Sequence, residues 1–430
     1  MKKVLFCFLA VIWVMMLVPE NVKPQSILNK AKQKIKQRTD AKVDKALNDG
    51  LDKVENKNPK TGEETNSEAK TEPASNTGGA TSGAAMTFST KYDFVPGDKV
   101  IAYEDFGKTE IGDFPLRWNT NATAEVVTLN NKEGKWLKIS KEGVFHPEFI
   151  TNLPDNFTLE FDLGVNEGWR GTHMAVNFAN LTKPEEFTSY YHFVSWKGNY
   201  AVHLQFKPGL SERTDGVSHM VAGNNGNHVI NNDVGIKNWN NTSNNFAHIS
   251  IWRQAQRLRV YVNGEKIWDI PRAFDQTSKF NAVTFGMQGS YGTDDYMLLG
   301  NVRLAVGAAD TRNKLITEGK FVTRGILFDV NSDKIKPESA GALRDIANVL
   351  KENPSVKVKI VGHTDADGDD AANMELSKKR AAAVKNFLIN EHSIPSENLE
   401  TDGKGETQPA DTNPTAEGKA NNRRVEFIKV

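Results

Sequence analysis

The sequence predicts a multidomain fold: an antiparallel β-sandwich followed by an α/β domain of β-α-β-α-β-β order. An N-terminal signal, a helix and a disordered linker precede them. Three observations carry this prediction. Short runs of alternating hydrophobicity recur between residues 90 and 310, where seven of the eight tryptophans lie. Residues 315–430 contain no tryptophan, and apolar residues recur there at three-and-four spacing between short strands. Over residues 57–89, large apolar residues nearly vanish.

The export signal comes first. Lys2 and Lys3 precede an uninterrupted apolar run of fifteen residues, Val4 to Val18. That run is short of the ~20 residues a transmembrane helix needs and fits the apolar core of a signal peptide. Residues 1–25 therefore read as a signal peptide, and the protein as exported. Pro24-Gln25 stands where a small-residue cleavage site is wanted, which leaves an uncleaved anchor open. Cys7, the only cysteine, lies inside the apolar run, too early to be acylated. A mature chain without cysteine suits an oxidising periplasm and excludes disulfide frameworks and thiolate zinc sites.

Residues 26–56 read as an amphipathic helix, with Leu28, Ala31, Ile35, Val43, Leu47, Leu51 and Val54 near helical spacing. Its basic first half suits a membrane surface or a partner helix, and an exposed spacer fits equally. Residues 57–89 are rich in Pro, Gly, Ser, Thr and Glu and read as a disordered tether. As a flexible coil it has a reach of roughly 30 Å.

Residues 90–310 read as the sandwich. Phe157 to Leu163, Ala247 to Trp252 and Leu258 to Val262 alternate apolar and polar residues. The last run leads into Asn263-Gly264 and Lys266-Ile267-Trp268, a strong hairpin signal. Together with "YMLLGNVRLAVG", this texture resembles the concanavalin-like and laminin-G-like jelly rolls over about 210 residues. Trp169, Trp196 and Trp239 are candidates for stacking on a sugar, and core packing is the competing reading of all three.

In the last domain, residues 315–430, Gly325 to Asp329 reads as a strand and Pro337 opens a helix carrying Leu343, Ile346 and Leu350. Val356 to Val361 is a second strand. Ala371 to about Glu391 is a helix with Leu376, Ala383, Val384, Phe387 and Leu388 as its buried stripe. Strands near Leu399 to Thr401 and over Val425 to Val430 follow. The blocks "GILFDVNSDKIKPES", "IVGHTDADGDDAANMELSKKRAAAVKNFLI", "TDGKGETQPADTN" and "EGKANNRRVEF" resemble the OmpA-like C-terminal domain. The resemblance implies non-covalent binding of peptidoglycan through the diaminopimelate of its stem peptide. It maps the two principal ligand contacts onto Asp365 and Arg380. Thr364, Asn373, Leu376 and Ser377 complete that motif, Phe328 and Asp329 match the first-strand block, and Asn422 and Arg423, with Arg424, match the late block.

The chemistry fits these residue types. A free diaminopimelate end carries an ammonium and a carboxylate on one carbon, so a receptor needs an anion and a cation a few ångströms apart. An aspartate accepts from the ammonium, and a guanidinium grips the carboxylate with two parallel hydrogen bonds. Asn373 and Arg380, two helical turns apart, share a face, and Ser377 one turn from Asn373 offers a further donor. A plain Asp365–Arg380 ion pair is the competing reading. One arginine of Asn422-Arg423-Arg424 reads as a structural brace, and Phe328 as either core or pocket.

Other chemistries lack support. Equal numbers of basic and acidic residues, 54 each, argue against a nucleic-acid partner. A mean hydropathy of -0.52 excludes a polytopic helical membrane protein. Strands of irregular length without aromatic girdles do not read as a β-barrel, so outer-membrane association is expected to be indirect. Asp365-x-Asp367-x-Asp369 begins like a calcium loop, but Asp370 and Leu376 replace the required Gly and Glu. The nine histidines are scattered, so no metal or cofactor is expected. Glu160-Phe161-Asp162 starts a retaining-glycosidase pattern, but Gly164 and Val165 stand where its second carboxylate belongs. The expectation is a non-enzymatic periplasmic envelope protein that links the outer membrane or periplasmic partners to the wall. The alternative is an adhesin whose sandwich binds a glycan or protein.

Overall fold

The computed structural model describes residues 93–430 except 172, 182, 184–199, 225–226, 290–293, 308–310, 312 and 413. The signal peptide, the amphipathic helix, the linker and Trp196 lie outside the described residues.

Fifteen strands among the described residues form the first module. They begin β1 (Lys99–Glu104), β2 (Trp118–Thr120), β3 (Ala124–Thr128), β4 (Lys135–Ile139), β5 (Gly143–Pro147), β6 (Asn156–Val165), β7 (Met174–Ala179) and β8 (Ala201–Lys207). The series continues through β9 (Gly216–Asn224), β10 (Asn227–Ile236), β11 (Phe246–Gln254), β12 (Arg257–Val262), β13 (Glu265–Ile270), β14 (Ala282–Met287) and β15 (Met297–Val306). One sheet has eight strands in the order β13-β12-β11-β6-β15-β4-β3, with β1 also paired to β15. The other has seven, ordered β10-β9-β8-β7-β14-β5-β2. Neighbours run antiparallel in both.

Alternation explains the packing. Phe157, Leu159, Phe161, Leu163 and Val165 of β6 enter a hydrophobic core to which both sheets contribute. The Asn263-Gly264 turn joining β12 to β13 has φ of 48° and 79°, the two positive values that such a hairpin needs. Trp169 and Trp239 are fully buried in the core. That overturns them as sugar-stacking residues, because neither ring leaves a face open.

Two of the alternate residues of β6, outside that core, are charged. Glu160 pairs with Arg303, Asp162 accepts from His248 Nδ1 at 2.7 Å, and Asn301 donates to Asp162 at 2.6 Å. Burial opposes the charge on His248, but the hydrogen bond to Asp162 and the Glu160 carboxylate 3.7 Å from Nε2 outweigh it and raise the imidazolium pKa well above its ordinary value.

The second module contains β16 (Lys320–Thr323), α1 (Ala340–Glu352), β17 (Val358–His363), α2 (Asp370–His392), β18 (Leu399–Gly403), α3 (Ala416–Asn422) and β19 (Arg424–Lys429). Its sheet order is β16-β19-β17-β18, with β17 and β18 parallel, as a helical crossover permits. Leu343, Ile346 and Leu350 of α1 and Ala381, Val384 and Leu388 of α2 pack on Val358, Ile360, Val425 and Phe427.

Three expectations for this module need correction. Residues 325–329 do not form a strand: the Leu327 amide bonds to Ser339 Oγ at 2.8 Å and its carbonyl accepts from Lys336 N at 2.9 Å. The sheet strand lies upstream at Lys320–Thr323. The short helix α3, capped by Thr415 Oγ1 accepting from Gly418 N at 2.9 Å, was not expected. Leu376 is half-buried and outside the core, and Ala381 takes a place in the buried stripe instead.

The two modules pack together within one compact unit. Asn421, at the end of α3, accepts from Val100 N and donates to Val100 O, both at 3.0 Å, capping the outer edge of β1. Phe94 packs with Tyr261 and Ala340. Beside it, a Cβ at Gly341 would lie 1.8 Å from the Phe94 carbonyl oxygen, so only glycine allows this approach. Lys108 Nζ donates to Pro414 O at 2.6 Å, and Arg117 pairs with Glu417 at 3.2 Å.

Candidate functional site

The predicted residues gather where β17 ends. Gly362 of β17 and Gly403 of β18 lie against α2 so closely that a Cβ on either would come within 2.2–2.4 Å of Ser377 atoms. Ser377 is fully buried, donating to Met374 O at 2.8 Å and accepting from Gly405 N at 2.9 Å. It is therefore a packing residue, a correction to its reading as a ligand donor. The Thr364 amide bonds to Gly405 O at 2.9 Å, which fixes the chain just before Asp365.

The loop after Asp365 is held from the helix. Asp369 caps α2 by accepting from Ala372 N at 3.0 Å, a contribution of about 1 kcal/mol. Asn373, buried on the first turn, donates to Asp367 O at 3.0 Å and to Glu406 at 2.7 Å. Its amide is committed to the loop, so it positions Asp365.

Asp365 does not pair with Arg380. Its Oδ1 accepts from Asp367 N at 3.2 Å, and its Oδ2 accepts from Arg423 Nη1. Its side chain is 12% exposed and that of Arg423 34%. Arg380 reaches the same region from α2, its Nε donating to Ser332 O at 2.9 Å, its guanidinium 4.9 Å from the Phe328 ring centre. Burial lowers the pKa of the Arg380 guanidinium, with Arg423 adding to the effect. Phe328 is half-buried, both packed on the second core and under Arg380. The Asp329 carbonyl faces Arg380 Nη2 at 3.5 Å, and its side chain pairs with Lys334 at 3.3 Å.

The late block divides. Asn422 is buried, accepting from the amides of Ala410 and Asp411 at 2.8 and 2.9 Å, so it braces a loop and does not face a ligand. Arg424 is buried against Glu426 at 2.9 Å and the Gln408 carbonyl at 3.0 Å. Arg423 alone turns toward Asp365.

Sequence reasoning missed two neighbours. Lys419 pairs with Asp367 at 2.7 Å, and Tyr103 of β1 lies under the Arg423 guanidinium, 5.4 Å from carbon to ring centre. No spacing rule could have linked Tyr103 to this site, since it belongs to the other module. A cleft of about 560 Å³ lined by Asp98, Lys314, Lys320, Arg324, Arg424 and Glu426 includes, of the residues matched to the motif, Arg424 alone. Its charges pair among themselves, Lys314 with Asp98 and Lys320 with Glu426.

The arrangement is one strand-end carboxylate bonded to one guanidinium, with a second guanidinium reaching the same region, over a segment that the OmpA family model matches from residue 327 to residue 423. Residues 327–423 form an OmpA family domain. Outer membrane porin F of Pseudomonas aeruginosa is 41% identical over 111 residues, 26% of this chain and 32% of that protein. The probable lipoprotein YiaD of Escherichia coli is 39% identical over 133 residues, 28% of this chain and 60% of that protein. Among solved structures, the cell wall anchor of the T6SS from Pseudomonas aeruginosa is 30% identical, with a TM-score of 0.24, over 26% of this chain and 80% of that one. The chain thus spans about a third to three fifths of the length of these curated relatives.

Proposed function

We propose that the OmpA family domain holds peptidoglycan non-covalently by binding the free end of diaminopimelate, in an exported, non-enzymatic protein of the periplasm associated with the outer membrane. The observation that carries this reading is Asp365, partly exposed at a strand end with Arg423 bonded to it and Arg380 reaching the same region. In this reading Asp365 accepts from the ligand ammonium, and Arg380, which reaches the loop through Nε and Nη2, takes the carboxylate. Charge-assisted bonds of this kind contribute about 1.5–3 kcal/mol each.

The test is a sacculus pull-down with the full chain, followed by titration with free meso-diaminopimelate. Asp365→Ala and Arg380→Ala are each expected to weaken binding at least about tenfold while leaving the circular dichroism spectrum unchanged. Full binding by both variants overturns the reading.

A second reading, ligand binding by the two-sheet module, draws support from a cleft of about 330 Å³ lined by His173, Gln205, Lys207, His219 and Asp233. The jelly-roll likeness belongs to this reading. Glycan-array binding by the Asp365→Ala chain favours it, and a blank array removes it.

A further inference from the structure

The site just described is bordered by a residue from outside its own domain. Tyr103 lies on β1, opposite Arg303 in the register with β15, and its ring packs on the cluster of Val100, Ala305 and Ala420. Ala420 is on α3, three residues before Arg423. The ring is thus fixed against the same short helix from which Arg423 departs. Further contacts hold that segment to the first module: Asn421 to the Val100 backbone, Lys108 to the Pro414 carbonyl, and Arg117 to Glu417.

Arg423 sits between two partners, the Asp365 carboxylate at one N–H and the Tyr103 face beneath its plane. A long side chain with a third of its surface exposed has many rotamers, and ordering it costs entropy. The aromatic face offsets part of that cost, since a guanidinium over a tyrosine ring gains about 0.5–2 kcal/mol depending on its desolvation. With Arg423 held, Asp365 is held in turn.

We infer that the two-sheet module completes the wall-binding site, with Tyr103 as a positioning residue that holds Arg423 against Asp365 for recognition of the ammonium-and-carboxylate end of the ligand. This rests on the reading of the site proposed above. It makes the recognition surface a joint product of both modules.

The experiment is calorimetric titration of the full chain with free meso-diaminopimelate. Tyr103→Ala is expected to weaken binding roughly three- to tenfold, and Tyr103→Leu, which keeps apolar packing but lacks the ring face, to do the same if the alanine variant folds poorly. Tyr103→Phe restores the affinity that Tyr103→Ala loses, because the face and not the hydroxyl holds the guanidinium. In an Arg423→Ala background, Tyr103→Ala brings no further loss, a non-additivity that a merely structural role would not produce. If Asp365→Ala abolishes binding while Tyr103→Ala and Tyr103→Leu stay within twofold of the parent, the inference fails and the proposed function stands. If the parent chain itself takes up no diaminopimelate, both fall together.

Discussion

Replacing Asn421 by Ala tests how the modules are joined. Its side chain satisfies both backbone groups on the outer edge of β1 at Val100, each at 3.0 Å, and also donates to Asp411 at 3.0 Å. Asn421 is 3% exposed and Val100 2%, so water replaces the lost amide poorly. Each buried backbone group left without a partner costs about 1–3 kcal/mol, about 2–6 kcal/mol for the two. Alanine's better helix propensity returns about 0.5 kcal/mol. The expected net loss is about 3 kcal/mol, toward the lower half of that range. Urea unfolding supplies the assay. Among the described residues the tryptophans lie only in the first module, so their fluorescence reports it alone, whereas circular dichroism at 222 nm reports mainly the helices of the second. In the parent chain the two probes should trace one transition, and in Asn421→Ala they should separate. Coincident transitions with a loss below about 1 kcal/mol would refute the role given to this amide.

Two further predictions concern buried titratable groups. His203 is 3% exposed and hydrogen-bonded to Asn177; burial, reinforced by His173 and His219, lowers its pKa from 6.5 to about 3. The unfolded chain then takes the proton first as pH falls, so stability is full above about 6.5 and declines toward 3, by up to about 3 kcal/mol at pH 4.5. Thermal melts between pH 7 and 4.5 should therefore flatten in His203→Gln, and an unchanged slope counts against this account. Glu426 receives Lys320 at 2.7 Å and Arg424 at 2.9 Å; burial opposes its charge, but neighbouring His363 and Lys320 outweigh it and hold the carboxyl well below the usual range. Its contribution is present above the ordinary carboxylate pKa and lost in acid below it. Glu426→Gln leaves Arg424 buried without its counter-ion and should cost about 3–5 kcal/mol at pH 7 in denaturant titrations; a loss below 1 kcal/mol would show the pair to be dispensable.

Much of the fold was legible because burial leaves a period in the sequence. The alternation in β6, β11 and β12 and the Asn-Gly turn needed no tertiary information, and Pro337 does open the short helical turn before α1. What failed depended on partners far away. Residues 325–329 look like a strand, but Gly325 lies where a Cβ would meet the Pro96 ring at 2.9 Å, and Ser339 takes the Leu327 backbone. The helix α3 is hidden in the sequence because, of its inward residues Gly418, Ala420, Asn421 and Asn422, only Ala420 is an apolar side chain, too little to leave a stripe. At the site, Asp365 and Arg380 were named from their block, whereas the partner of Asp365 is Arg423. A motif lists the residues of a site without saying which pairs touch. The tryptophans Trp169 and Trp239 differ for a related reason: an aromatic side chain carries the same letter whether it faces the core or the solvent.

The placement of β1 has a consequence for how the chain matures. β1 is the earliest described strand, yet it pairs with β15, the last strand of its module, and is capped by Asn421, 321 positions after Val100. Its native neighbours are made long after it, so it waits unpaired while the intervening polypeptide emerges. Such distant pairing slows acquisition of the native state. The cap from Asn421 therefore comes late, and the first module is closed only once the second has been made.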